Sequence, residues 1–206
     1  SADDVVAVQE TLDLGPMVVV GHSLGARNAW VVAAQHPDRV AGVVAVDYVP
    51  FVEPEVLDAL AERVAAGDRT FADLDAVRSY VRDRYPRMPE DAVERRAVHG
   101  YAETDDGLRP LARPRAMQAL IEGLRVEHAE ELAAVTCPIA MVRGVDSAIV
   151  SPEAWARSQR LAPQASWIEV PDADHYVPEE QPRAIATIIE DVLRRAAAHR
   201  KDRPWH

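Results

Sequence analysis

Hydrophobic positions along the chain follow two alternating patterns, unbroken β-branched runs and stripes at helical spacing. Residues 3–14 set Val5, Val6, Val8 and Leu12 among polar positions in helical register, and Gly15-Pro16 stop the pattern. Met17-Val18-Val19-Val20 follow with no polar break, as a strand buried on both faces of a parallel sheet requires. A helix over 24–35 repeats Ala26, Ala29, Trp30, Ala33 and Ala34 and ends at His36-Pro37-Asp38. Residues 40–46 form another two-sided apolar strand, closing on Asp47-Tyr48-Val49-Pro50. From 54 to about 131 the pattern becomes successive amphipathic helices, 54–66, 71–84, 89–98 and 113–131, with no strand signal among them. A strand at 138–142, a helix at 152–161, a strand at 166–170 and a helix over 183–198 restore the alternation, and 199–206 read as a frayed tail. The predicted fold class is α/β, a doubly wound, mostly parallel sheet built from residues 1–50 and 132–206, with a helical cap insertion over 51–131.

A chain of 206 residues is one domain's worth of polypeptide. Its formal charge of −11 argues against a phosphate-backbone binder, so no nucleic-acid partner is expected. No apolar run is long enough to span a bilayer, and acidic Asp3 and Asp4 stand where a signal peptide would be basic, so no membrane partner is expected either. Cys137 is the only cysteine, which rules out an intrachain disulfide and a thiolate metal cluster and suits a reducing cytoplasm. The expected partner is a small-molecule substrate, with no metal and no cofactor.

Candidate chemistry begins at Gly21-His22-Ser23-Leu24-Gly25, a Gly-x-Ser-x-Gly string placed after a buried strand and before a helix. A serine on that sharp turn has its hydroxyl lifted clear of the sheet, and small flanking residues let backbone pass close by. The Leu24 amide, at the start of the helix, is then available to an oxyanion. Ser23 needs a base. His36, His99, His128, His199 and His206 lie at a helix end, in the insertion or in the tail, whereas His175 follows the last strand, at the carboxyl end where parallel sheets place their sites. Two aspartates compete as the acid. Asp146 lies in the loop after the 138–142 strand, but the usual acid position there falls on Ser147. Asp47 ends the strand after the nucleophile helix and is preferred, with Asp146 in reserve.

Gly21-His22-Ser23-Leu24-Gly25-Ala26-Arg27-Asn28-Ala29, Val46-Asp47-Tyr48-Val49-Pro50-Phe51-Val52-Glu53, Arg84-Tyr85-Pro86, Gly107-Leu108-Arg109-Pro110-Leu111 and Asp174-His175-Tyr176-Val177 together resemble two related groups of amide hydrolases of pyridine-ring catabolism within the α/β-hydrolase fold. These are the α-(N-acetylaminomethylene)succinic acid hydrolases and the N-formylmaleamate deformylases. The resemblance extends to about Pro182 and implies a serine-dependent, metal-free hydrolysis of an N-acyl group on a small unsaturated dicarboxylate. It further implies that the acid is Asp47, that serine at 147 replaces the usual acid, and that Arg63, Arg84 and Tyr85 hold substrate carboxylates. Guanidinium forks suit that task, although arginines on amphipathic helices usually face water. Val49, where the strand-end motif has threonine, and Asp146 depart from the pattern and leave the acyl group open.

Two alternatives share these residues. A carboxylesterase, an enol-lactonase or a carbon–carbon bond hydrolase would use the same serine, histidine and aspartate. A non-catalytic ligand-binding protein on the same scaffold would bind unchanged after Ser23→Ala. The fold normally has strands before the nucleophile strand, so the sequence reads as lacking them, and the isolated chain is expected to aggregate or to be inactive.

Overall fold

The computed structural model describes residues 2–202, with side chains to residue 199. The β-branched runs become four parallel strands, β1 (Met17–His22), β2 (Val40–Val46), β5 (Ile139–Gly144) and β6 (Ser166–Val170), in the order β1-β2-β5-β6. His22 pairs with Val46, and Val46 with Val142, so the carboxyl ends of the first three strands come level. Every residue of β5 is buried, and in β2 only Ala41 is less than buried. That is why these segments carry no hydrophobic alternation. Helices α1 (Ala2–Thr11), α2 (Leu24–Gln35), α8 (Pro152–Leu161) and α10 (Pro182–Asp202) are the crossovers and flanks. On one face Val44, Val46, Ala140, Val142 and Val170 pack with Ile185, Ile188 and Val192 of α10. Each such valine or isoleucine side chain contributes about 1.5–3 kcal/mol by leaving water.

The chain divides into two compact units, one of residues 1–52 and 127–206, the other of residues 53–126. The second contains α3 (Pro54–Ala66), α4 (Leu74–Arg84), α5 (Glu90–His99) and α6 (Pro114–Leu124). It also contains a hairpin, β3 (Tyr101–Thr104) with β4 (Gly107–Pro110), where the hydrophobic pattern predicts no strand. Strands of four residues are too short to show a period. Their signal is the turn at Asp105-Asp106, followed by Gly107 at φ 123°, a conformation that glycine adopts at little cost. The single helix expected over 113–131 is likewise two, α6 and α7 (Ala129–Ala134), parted where His128 takes φ 49°. At the other end α10 runs past the expected stop to Asp202, because Ala196-Ala197-Ala198 lead into good helix formers. Residues 203–206 of the expected frayed tail lie outside the described residues. Among the described residues no helix is long and apolar enough to cross a membrane.

The turn between β1 and α2 is constrained on one side only. A Cβ added at Gly21 would overlap the Gly25 carbonyl, whereas one at Gly25 would meet nothing within 4 Å. Gly21→Ala is therefore expected to lower unfolding free energy by about 3 kcal/mol through forced displacement of the turn. Gly25→Ala, at a helical position, is expected to be neutral or stabilising by about 0.5–1 kcal/mol. Urea denaturation of the two variants checks the asymmetry.

Candidate active site

Ser23 stands between β1 and α2 with φ 56° and ψ −120°, outside the regions favoured by L-residues. It is held there by the sheet and the helix together. Its N–H donates to the Val46 carbonyl at 2.8 Å, and its carbonyl accepts from Ala26 N at 2.9 Å and Arg27 N at 3.3 Å. Strain so over-determined by its surroundings is characteristic of functional turns. Leu24 opens α2, and its amide belongs to the first turn, whose N–H groups have no intrahelical acceptor. Tyr48, next to Asp47, is buried and stacks against Trp30 of α2 with ring centroids 6.1 Å apart. Burial pushes its phenol up to about 12, against the opposing pull of Arg27.

Asp47 follows the last residue of β2, takes φ 51° and is completely buried. A buried carboxylate needs donors on its lone pairs, and three converge on this one. Gly144 N donates to Oδ1 at 2.9 Å, the Ser147 hydroxyl donates to Oδ2 at 2.6 Å, and His175 Nδ1–H donates to Oδ2 at 2.8 Å. The Ser147 oxygen in turn accepts from Ile149 N and Val150 N, which commits its proton to Asp47. With Nδ1 protonated, the neutral imidazole of His175 has its basic nitrogen at Nε2. Asp146 is exposed, and its main-chain N–H ties the loop to the Ala173 carbonyl at 3.0 Å. The carboxylate that the fold brings to His175 Nδ1 is Asp47. Removing the hydroxyl in Ser147→Ala strips one donor from a buried anion, and kcat/KM is expected to fall about tenfold. Steady-state kinetics at constant pH measures this.

The loop carrying His175 is pinned at several points. Asp174 Oδ1 accepts from both His175 N and Ala148 N, and Glu180 Oε2 accepts from Asp174 N. His22 Nε2 lies 2.7 Å from the His175 carbonyl, and the two imidazole rings are 4.7 Å apart. Burial first, and the neighbouring His175 second, hold the His22 pKa below the ordinary value of 6.5.

In the second unit Arg63, Arg84 and Tyr85 form a mutual cluster. Arg63 Nη2 donates to the Arg84 carbonyl at 2.8 Å, Arg84 Nη2 to the Arg63 carbonyl at 2.7 Å, and Arg84 Nε to the Tyr85 hydroxyl at 3.1 Å. Both guanidiniums lie over the Tyr85 ring, at 5.3 and 5.7 Å from its centroid. Arg96 of α5 joins them at 4.9 Å from the same ring. Nothing in its local pattern separated it from neighbouring arginines. Such cation–aromatic stacking orients a guanidinium while leaving donors on its edge. Among the described residues no group of three or more His, Cys, Asp or Glu side chains could hold a metal ion. Burial raises the Cys137 thiol to about 11, well above the range of a reactive thiolate.

Residues 1–182 match the family model for the alpha/beta hydrolase fold. Over 192 residues the chain is 46% identical to the 2-(acetamidomethylene)succinate hydrolase of Mesorhizobium japonicum, covering 93% of this chain and 69% of that protein. The crystal structure of E-2-(acetamidomethylene)succinate hydrolase superposes with a TM-score of 0.90 at 45% identity, covering 93% of this chain and 72% of that one. The N-formylmaleamic acid deformylase of Pseudomonas putida superposes with a TM-score of 0.65 at 22% identity over 91% of this chain and 71% of that one, a likeness of fold.

Proposed function

Because the chain belongs to the α/β-hydrolase fold family, we propose that it is a serine hydrolase that cleaves the C–N bond of a small N-acyl dicarboxylate, with Ser23 as nucleophile, His175 as base and Asp47 as the orienting acid. The observation that carries the catalytic part is the Asp47 carboxylate, buried and bonded to His175 Nδ1 at the same strand ends that present Ser23. His175 Nε2 takes the Ser23 proton as the hydroxyl attacks the amide carbonyl. The Leu24 amide donates to the oxyanion, where charge develops. His175 then gives its proton to the leaving nitrogen, and the C–N bond breaks. Water, deprotonated by His175, attacks the acyl ester, and the carboxylate product and free Ser23 result.

The substrate class draws its support from the 46% identity with a protein named for 2-(acetamidomethylene)succinate, and from the arginine–tyrosine cluster. Substrate carboxylates are assigned to Arg63, Arg84 and Tyr85, a local cationic cluster on an otherwise acidic protein. The test is steady-state hydrolysis of 2-(acetamidomethylene)succinate, N-formylmaleamate and p-nitrophenyl acetate side by side. One dicarboxylate amide should be strongly preferred, and Arg84→Met should raise its KM at least about tenfold, the cost of an ionic hydrogen bond. Turnover of the ester with neither dicarboxylate cleaved would reduce the reading to a general esterase.

A further inference from the structure

We propose that His22 is a positioning residue for the base, its ring donating a hydrogen bond to the His175 carbonyl and so setting the distance between Ser23 and His175. The inference rests on the reading of Ser23 and His175 as nucleophile and base.

His22 is the last residue of β1, paired with Val46, and immediately precedes Ser23. Its Nε2 is 2.7 Å from the His175 oxygen. A carbonyl only accepts, so Nε2 carries the proton. The ring also packs against its neighbours, with centroids 4.7 Å from His175 and 5.6 Å from Tyr176. His175 thus has three anchors of different origin. Its N–H goes to Asp174, its Nδ1–H goes to Asp47, and its carbonyl is held by His22. Only the His22 anchor comes from the strand that bears the nucleophile. It is therefore the contact that ties the base directly to the strand leading into the nucleophile. Proton transfer between a hydroxyl and an imidazole depends steeply on their spacing.

The charge state of His22 serves the same end. Desolvation, with the His175 ring second, outweighs the bond to the His175 carbonyl and the carboxylates of Asp47 after β2 and Glu179 of α9 (Val177–Glu180), which favours the neutral ring. A neutral neighbour permits His175 to become an imidazolium during the reaction, which a second cation 4.7 Å away would oppose.

The test uses the full chain and a fluorophosphonate that labels an activated serine, so no substrate need be known. Labelling rate is followed against pH, and the labelled fraction and the melting temperature are recorded separately. His22→Leu removes the donor, while His22→Gln keeps an amide N–H at similar reach. The plateau rate of His22→Leu should fall about ten- to a hundredfold with complete final labelling and an unmoved midpoint pH, since no charge is removed. His22→Gln should recover to within about threefold of the parent. A His22→Leu variant that labels as fast as the parent overturns the proposal. So does a His22→Gln variant as slow as His22→Leu, which would assign the effect to ring packing, and so does incomplete labelling at an unchanged rate, which would assign it to folding. Parent protein that labels, and labels equally after Ser23→Ala, refutes the hydrolase reading itself before any comparison at position 22.

Discussion

Ser23→Ala should lower kcat about 10⁶-fold, and adding His175→Ala to it should cost almost nothing more. In the proposed mechanism nucleophile and base act as one unit, so removing either abolishes the covalent route. The turn should survive the change, because the strained backbone at 23 is held by main-chain bonds to Val46, Ala26 and Arg27, and the serine side chain is not part of that frame. Substrate binding should therefore persist in the alanine variant. Calorimetric titration with a slowly turned-over dicarboxylate amide, beside single-turnover kinetics, separates the two effects. Retention of more than a few per cent of kcat would mean that another group attacks.

The second large effect is expected at Asp47. Asparagine there is nearly isosteric, but it offers one acceptor and one donor where the fold supplies three donors, from Gly144, Ser147 and His175. Either a donor is left facing an amide N–H, or His175 turns to the wrong tautomer, and kcat/KM should fall about 10⁴-fold with little change in KM. Asp146→Asn should stay within about twofold of the parent, as expected of a carboxylate exposed to solvent. The opposite ranking would move the acid to the loop after β5 and remove the proposed geometry.

Much of this architecture is visible as pattern. The runs at Met17, Val40, Ile139 and Ser166 lie in one parallel sheet, but only β2 and β5 are buried on both faces; the two-sided burial expected of Met17–Val20 does not hold, since Val20 is exposed at the edge strand β1, and β6 carries an exposed Glu169. Ser23 was legible because a strand, a sharp turn and a helix follow one another within a few residues. Elements whose cause is not periodic were harder to see. The hairpin at 101–110 depends on a turn and a glycine at positive φ, and the break before α7 depends on the left-handed His128. At the site, a choice between Asp47 and Asp146 was as far as spacing could go. Their difference arises from strand register and from the backbone of Gly144 and the hydroxyl of Ser147, which are about a hundred residues away in sequence from Asp47. The contacts of His22 with His175 span a still larger separation, 153 residues, and leave no mark on the local pattern.

The three groups of the site do not share one mechanical fate. Ser23 N–H and Asp47 N–H are bonded to carbonyls of β2 and β5, within the sheet ladder, so their amides should exchange with solvent only when the whole core opens. His175 N–H is bonded to the side chain of its own neighbour, and its loop is tied down by side chains of Asp174, Glu180 and His22. Opening that loop breaks these bonds and the one from Asp146 N to the Ala173 carbonyl and lifts Ala173 and Val177 from the core, but it leaves the strand ladder intact. On warming, the proposed base His175 should be lost while Ser23 and Asp47 remain in register. Activity would then fade below the melting temperature and return on cooling, with the histidine loop acting as the fuse of an otherwise rigid frame.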